Sequence, residues 1–290
     1  MDELLALAVR SGRILRVRLS DGHVEPWYDD AGPIPDGIVV ADGTVYWTTM
    51  GRPEVVGEGE AGRLYHRPDG GVHAMGLDGT GRRDVVPNGS LTTGKQLTYA
   101  DGVLYWCDRE GRRVSRARVD GSGQGDLVVN TGDDELTWCV GVAVDPAGGH
   151  LYWSQKGPSR GGQGRIFRAG LELPAGEQPS ARSDIELVWD GLPEPIDLHL
   201  EAGWLYWTDR GAPPSGNTLN RAPLPGPGER GAAPEILGGG FAEAIGLVVA
   251  DDGAYVSDLG GHIWEVPLSG GPPRVLVQLP EAITGLAVLR

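Results

Sequence analysis

The sequence predicts an all-β protein: a six-bladed β-propeller of four-stranded blades, its ring closed by the C-terminal strand joining the N-terminal blade. Three observations carry this. Tyr-Trp recurs in near-identical frames, with the Tyr at positions 46, 105, 152 and 206 and a degenerate copy at Tyr255, so the unit is about 50 residues long. Gly 48 and Pro 22 stand beside Trp 9 and Tyr 8 in 290 residues, a mixture that fits many short strands joined by tight turns. The two ends of the chain each supply a fraction of a blade that the other lacks.

Each unit reads the same way. An apolar stretch leads into a turn containing Gly, as in Gly37-Ile38-Val39-Val40-Ala41-Asp42-Gly43, and becomes the strand lining the channel. The Tyr-Trp frame is the second strand, a segment such as Arg165-Ile166-Phe167-Arg168 the third, and Asp126-Leu127-Val128-Val129 an example of the outermost. Leu4 to Tyr28 makes three strands of blade 1, and Ile283 to Leu289 supplies its missing inner strand. On this division blade 1 is 1–30 with 281–290, blade 2 is 31–90 and blade 3 is 91–132. Blade 4 is 133–192, blade 5 is 193–240 and blade 6 is 241–280, all in one domain.

Leu205-Tyr206-Trp207-Thr208-Asp209 contains the YWTD signature, and the chain resembles the six-bladed YWTD-repeat propellers of the low-density-lipoprotein-receptor class B type over nearly its whole length. The other copies depart at their ends: Thr48-Thr49, Cys107-Asp108, Ser154-Gln155, and Val256-Ser257-Asp258 without its Trp. In receptors such propellers bind protein ligands, so the resemblance implies a protein partner. The repeated tyrosines and tryptophans are expected to pack blade against blade. Asp108 and Asp209 are expected to pair with the recurrent Arg16, Arg116, Arg168 and Arg221 one strand away.

Charge and segment lengths narrow the function. The net charge of −15 opposes a phosphate backbone, which argues against nucleic-acid binding. No apolar run approaches the ~18 residues of a membrane span. The segment Met1 to Arg10 carries acids where an export signal needs bases, giving an expectation of a cytoplasmic protein. Two cysteines, Cys107 and Cys139, make no disulfide framework.

Function is sought where one blade departs from its siblings. Nine residues before each Tyr the inner strands favour Gly, but blade 3 has Gln96 and blade 5 has Asp197; two residues further on are Thr98 and His199. Asp197 with His199 forms a candidate acid–base pair. Three residues before the Gly column, at the channel mouth, Glu194 and Glu243 stand in blades 5 and 6, and Glu281 occupies the matching motif in blade 1, opposite Lys95, Trp138 and Asp36. Crowded carboxylates there would suit proton transfer or cation binding. Insertions at 51–70 of blade 2, with Tyr65 and His66, at 157–164 of blade 4 and at 211–217 of blade 5 are expected to cover that mouth.

The leading expectation is a non-redox enzyme acting on a small molecule in the central channel. Its catalytic candidates are Asp197, His199, Glu194 and Glu243; Gln96, Thr98, Lys95, Trp138, Glu281, Asp36 and His66 would bind substrate. This reading requires no cofactor. Two alternatives stay open: a non-catalytic scaffold for a protein or peptide, and a metal-dependent lactonase or esterase resembling the gluconolactonase propellers. In the last, Glu194, Asp197 and His199 would supply the ligands of a divalent cation.

Overall fold

A computed structural model describes residues 3–58, 62–250 and 253–289. Six four-stranded antiparallel sheets make up the fold, with a two-stranded hairpin and one 3-10 turn, Glu135–Thr137, added to them. The inner strands of blades 1 to 6 are Ile283–Leu289, Pro35–Ala41, Gly94–Ala100, Cys139–Asp145, Pro195–Glu201 and Ala244–Ala250. They touch their neighbours in an unbroken cycle. Ile283–Leu289 pairs with Glu3–Ala8, so both ends of the chain meet in one sheet, as the complementary end segments predict. Among the described residues no helix is long and apolar enough to cross a membrane.

The local rules are visible in the turns. Ala41 pairs with Thr44, Ala100 with Val103 and Glu201 with Trp204, leaving two-residue loops. Asp42-Gly43, Asp101-Gly102 and Ala202-Gly203 fill them, every one at positive φ, which matches the hairpin turn whose twist suits the flanking strands. Trp47, Trp106, Trp153 and Trp207 are fully buried between blades. Tyr152, Ile166 and Val188 of blade 4, for example, share one cluster with Leu205 and Trp207 of blade 5.

The third residue of each signature joins blade to blade. Thr208 Oγ1 accepts from Asp197 N at 3.1 Å and donates to Ile245 O of the next blade at 2.6 Å. Thr48, Ser154 and Ser257 repeat this arrangement, and Cys107 Sγ donates to Gly141 O at 3.3 Å. The inner glycines follow from the same closeness. A β-carbon on Gly141 would stand 2.1 Å from Ile196 O, and one on Gly246 2.2 Å from Thr284 O. A register shift marks this level in every inner pair.

The expected pairing of signature aspartates with the arginine column does not form. Asp108 instead accepts from the backbone N–H of Thr92, Thr93 and Gly111, and Asp209 from Glu194 N and Trp207 Nε1. Signature aspartates thus cap the segment entering each inner strand, where otherwise unpaired amides would be buried. The arginines lie on the third strand, opposite the signature tyrosines, and pair with acids further out: Arg116 with Glu172, Arg168 with Glu186 and Arg221 with Glu235.

Candidate functional site

Two cavities occupy the two ends of the channel and share no lining residue. One, of about 320 Å³, lies at the carboxyl ends of the inner strands. The other, of about 490 Å³, is a cleft at their amino ends, beneath the insertions of blades 2 and 4. Val140, Ile196 and Ile245 form an apolar plug at the level between them.

The first cavity collects Gln96, Thr98, Asp197 and His199, the four side chains that break the repeat. The register shift in the blade 5 pair falls between Pro195 and Leu198, and Asp197 and His199 still line the same space. Asp197 is committed to structure. One carboxylate oxygen accepts from Leu198 N and the other from Leu247 N of blade 6, both at 2.9 Å. Burial pushes this carboxyl up to about 8 against the lowering pull of those two amides, and the nearby charge of Asp36 adds to the rise.

The cleft at the amino ends is built differently. At its floor the buried Lys95 donates from Nζ to Asp36 Oδ1 at 2.6 Å, and Gln96 Nε2 donates to Asp36 Oδ2 at 3.3 Å. Loss of hydration lowers the Lys95 pKa, and Asp36 opposes that shift. Arg210 pairs with the buried Glu194, which also receives Lys156 Nζ at 3.2 Å and the Arg160 backbone N–H at 3.3 Å. Glu243 is half exposed and faces Arg210 and Arg160, each at 3.5 Å. The blade 5 insertion reaches it through Asn217 Oδ1, which accepts from Glu243 N. Arg109 lies over the rings of Tyr65 and Trp138 at 5.4 and 5.1 Å, and Lys156 over Trp138 at 5.5 Å.

Several expectations are corrected by this geometry. The mouth is not a carboxylate cluster, because Arg210, Lys156 and Arg160 stand between and around Glu194 and Glu243. Glu281 takes no part in it: its carboxylate accepts from Ser11 N at 2.7 Å in a neighbouring loop and is not among the cleft's lining residues. His66 faces Glu54 at 3.3 Å on the outer part of the blade 2 insertion, and Tyr65 takes the place at the cleft. Asp197 and His199 open at the opposite end from Glu194 and Glu243, so the four catalytic candidates do not converge. The proposed metal set fails for the same reason, since Glu194 faces away from Asp197 and His199. Among the described residues no group of three or more His, Cys, Asp and Glu side chains is placed to hold a metal ion.

Sequence reasoning found Lys95 but missed Arg109, Lys156 and Arg210. They occupy the position just after the signature, which reads Met50, Arg109, Lys156, Arg210 and Leu259 in blades 2 to 6, with Val9 in blade 1. This column changes character from blade to blade, and that change was the available signal. The blade 2 insertion folds into the hairpin Glu54–Val55 with Arg63–Leu64 and brings Arg63 and Tyr65 to the cleft; the blade 4 insertion brings Ser159 and Arg160. Cys107 and Cys139 are buried and free; burial pushes both thiols up, Cys139 to about 12.

Fold and repeat together define a six-bladed propeller of the YWTD class, with a polar cleft at one end of its channel. Comparison with known proteins agrees. The chain is 38% identical over 306 residues to a Pyricularia oryzae protein named low-density lipoprotein receptor-related protein 1, covering 98% of this chain and 94% of that protein. It is 36% identical over 307 residues, 97% of its length, to a Cochliobolus heterostrophus protein named 3-hydroxyacyl-CoA dehydrogenase-like protein LAM1, of which it spans only 61%. No family model matches. Among solved structures, one from a nidogen/laminin complex superposes with a TM-score of 0.71 at 16% identity, over 99% of this chain and 98% of that one. A putative 6-phosphogluconolactonase from Bacteroides uniformis gives 0.58 at 12% identity, over 95% and 82%. Both likenesses concern the fold. The chain belongs to the YWTD-repeat, low-density-lipoprotein-receptor class B-like propeller family.

Proposed function

We propose that the protein is a non-redox small-molecule enzyme whose acid–base group is Lys95, working at the floor of the amino-end cleft. One observation carries the reading: a buried ammonium, held by a buried carboxylate, lines a cleft large enough for a small metabolite. An amine whose charged form is disfavoured by burial is a better base near neutrality than an exposed lysine. Asp36 would accept the proton's hydrogen bond and keep the amine aimed at the cleft. Arg109, Arg210 and Tyr65 would hold the substrate, and Trp138, which is not on the cleft lining, would back Arg109. Chemistry of this type covers hydrolysis, isomerisation and condensation.

The test is to incubate the purified protein with a metabolite extract of its host and compare masses before and after, alongside Lys95→Gln and Asp36→Asn variants checked for folding. A compound turned over by wild type and at least a hundredfold more slowly by folded Lys95→Gln supports the reading, on the usual scale of general acid–base catalysis, about 10²–10⁴. Equal turnover by the variant refutes the role of Lys95.

A second reading, a scaffold for a protein partner, is supported by the exposed Val55, Val56 and Leu64 on the blade 2 hairpin. The name of the Pyricularia oryzae relative and the nidogen/laminin complex point the same way. It predicts that V55S/L64S abolishes partner binding while any turnover at the cleft persists. Partner binding unchanged by that pair of substitutions would count against it.

A further inference from the structure

The cleft is polarised across the ring. Blades 6, 1 and 2 contribute Leu259, Ile245, Val9, Ile34 and Met50, a mainly apolar arc that also carries Glu243 and Asp36. Blades 3, 4 and 5 contribute Lys95, Arg109, Arg160 and Arg210 on the facing side, and the blade 2 hairpin adds Arg63. That hairpin leans toward blade 3, since Tyr65 meets Arg109. The lining holds five cationic side chains against two carboxylates, Asp36 and Glu243. With Lys156 and the carboxylates that pair with these cations behind the lining, Glu110 on Arg109 and Glu194 on Arg210 and Lys156, six cations stand against four acids, an excess of two positive charges in a chain whose net charge is −15. A local excess of this sign on an acidic protein focuses anions into the cleft and repels cations from it. The pairs already present leave room for a further anion: Arg160 is 71% exposed and meets Glu243 only at 3.5 Å.

We propose that the ligand of this cleft is an amphipathic anion, a small carboxylate with an apolar tail or ring. Its charged head lies against the arginines of blades 3 to 5, and its apolar body against Leu259, Met50 and Ile34. This rests on the cleft being a small-molecule site and adds the class of molecule it accepts. The head is shared among guanidinium groups, which favour planar carboxylates through paired N–H donors. The tail replaces water over the apolar side chains of Leu259, Met50 and Ile34.

The experiment uses three probes with one tail: octanoate, 1-octanol and octylammonium, titrated calorimetrically and by Trp fluorescence, since Trp138 lies between Arg109 and Lys156. Octanoate is expected to bind at least tenfold more tightly than the alcohol, and octylammonium to bind least. Arg160→Gln and Leu259→Ser alter exposed or half-exposed side chains and should leave the fold intact. Each is expected to weaken octanoate by about tenfold, one charge-assisted bond or one partly buried leucine. Binding of octanol or octylammonium as tight as that of octanoate overturns the proposal, as does the absence of octanoate binding at millimolar concentration or wild-type octanoate affinity in both variants. Octanoate binding without any metabolite turnover sinks the catalytic reading and leaves the ligand class standing. Turnover confined to neutral or cationic metabolites does the reverse.

Discussion

The two ends of the channel are made by the same six strands, yet they hold opposite kinds of polarity. At the carboxyl ends, tight turns leave the cavity to the strands themselves, and Asp197 spends both oxygens on backbone amides. At the amino ends, the inner strands, the insertions and the position after each signature together bring in side chains that meet one another: Lys95 with Asp36, Arg210 with Glu194, Arg109 with two rings. A break in the repeat is therefore not by itself a site. Asp197 departs from its column and serves as a link between blades 5 and 6, whereas Arg210 sits beside a scaffold residue and faces the cleft.

Substitutions at the two ends should separate these roles. Removing the ammonium in Lys95→Met leaves Asp36 buried with only the Gln96 amide, and unfolding in urea should show a loss of about 3–5 kcal/mol. The double variant Lys95→Met/Asp36→Leu should recover most of it. A single variant as stable as wild type would mean that the pair is hydrated and the floor of the cleft is not dry.

The opposite end should answer to pH. The folded-state pKa of Asp197, about 8, lies above the ordinary value of 3.8, so its contribution is complete below about pH 4 and is lost as pH rises through 8. Between those limits stability should fall by up to about 1.4 kcal/mol per pH unit from this group. The difference in unfolding free energy between wild type and Asp197→Asn, measured from pH 5 to 9, should shrink as pH rises. A constant difference would show that Asp197 stays charged, held so by its two amides.

Thr208→Val tests the blade-to-blade links at the level separating the cavities. It leaves Asp197 N and Ile245 O without their shared hydroxyl, at a cost of about 1–3 kcal/mol by chemical denaturation. The smallest effect belongs to His66→Ala. His66 and Glu54 are each about half exposed, so the change should stay within about 0.5 kcal/mol and leave octanoate affinity unaltered. A larger effect on either would bring the outer hairpin into the site.

The ring can be read from the residue order alone: signature spacing sets the number of blades, complementary end segments set the closure, and the Gly column sets how closely the inner strands approach. Those properties repeat, and each copy is local, so a period and a turn residue suffice to read them. The legible parts of the cleft, Lys95, Asp36 and Glu243, and of the layer behind it, Glu194 and Trp138, come from comparing blades at equal distance from the Tyr. Which of them meet was decided only by the tertiary structure. Arg210 reaches both Glu194 and Glu243 because the radial arrangement brings the ends of blades 5 and 6 together, and Lys95 reaches Asp36 across the boundary of blades 3 and 2. Glu281 shares the motif of Glu194 and Glu243 but turns to the Ser11 amide of a neighbouring loop, and His66 turns to Glu54 within its own insertion. Side-chain charge is written in the sequence, but the pairing that neutralises or exposes it depends on distances between strands far apart in the chain.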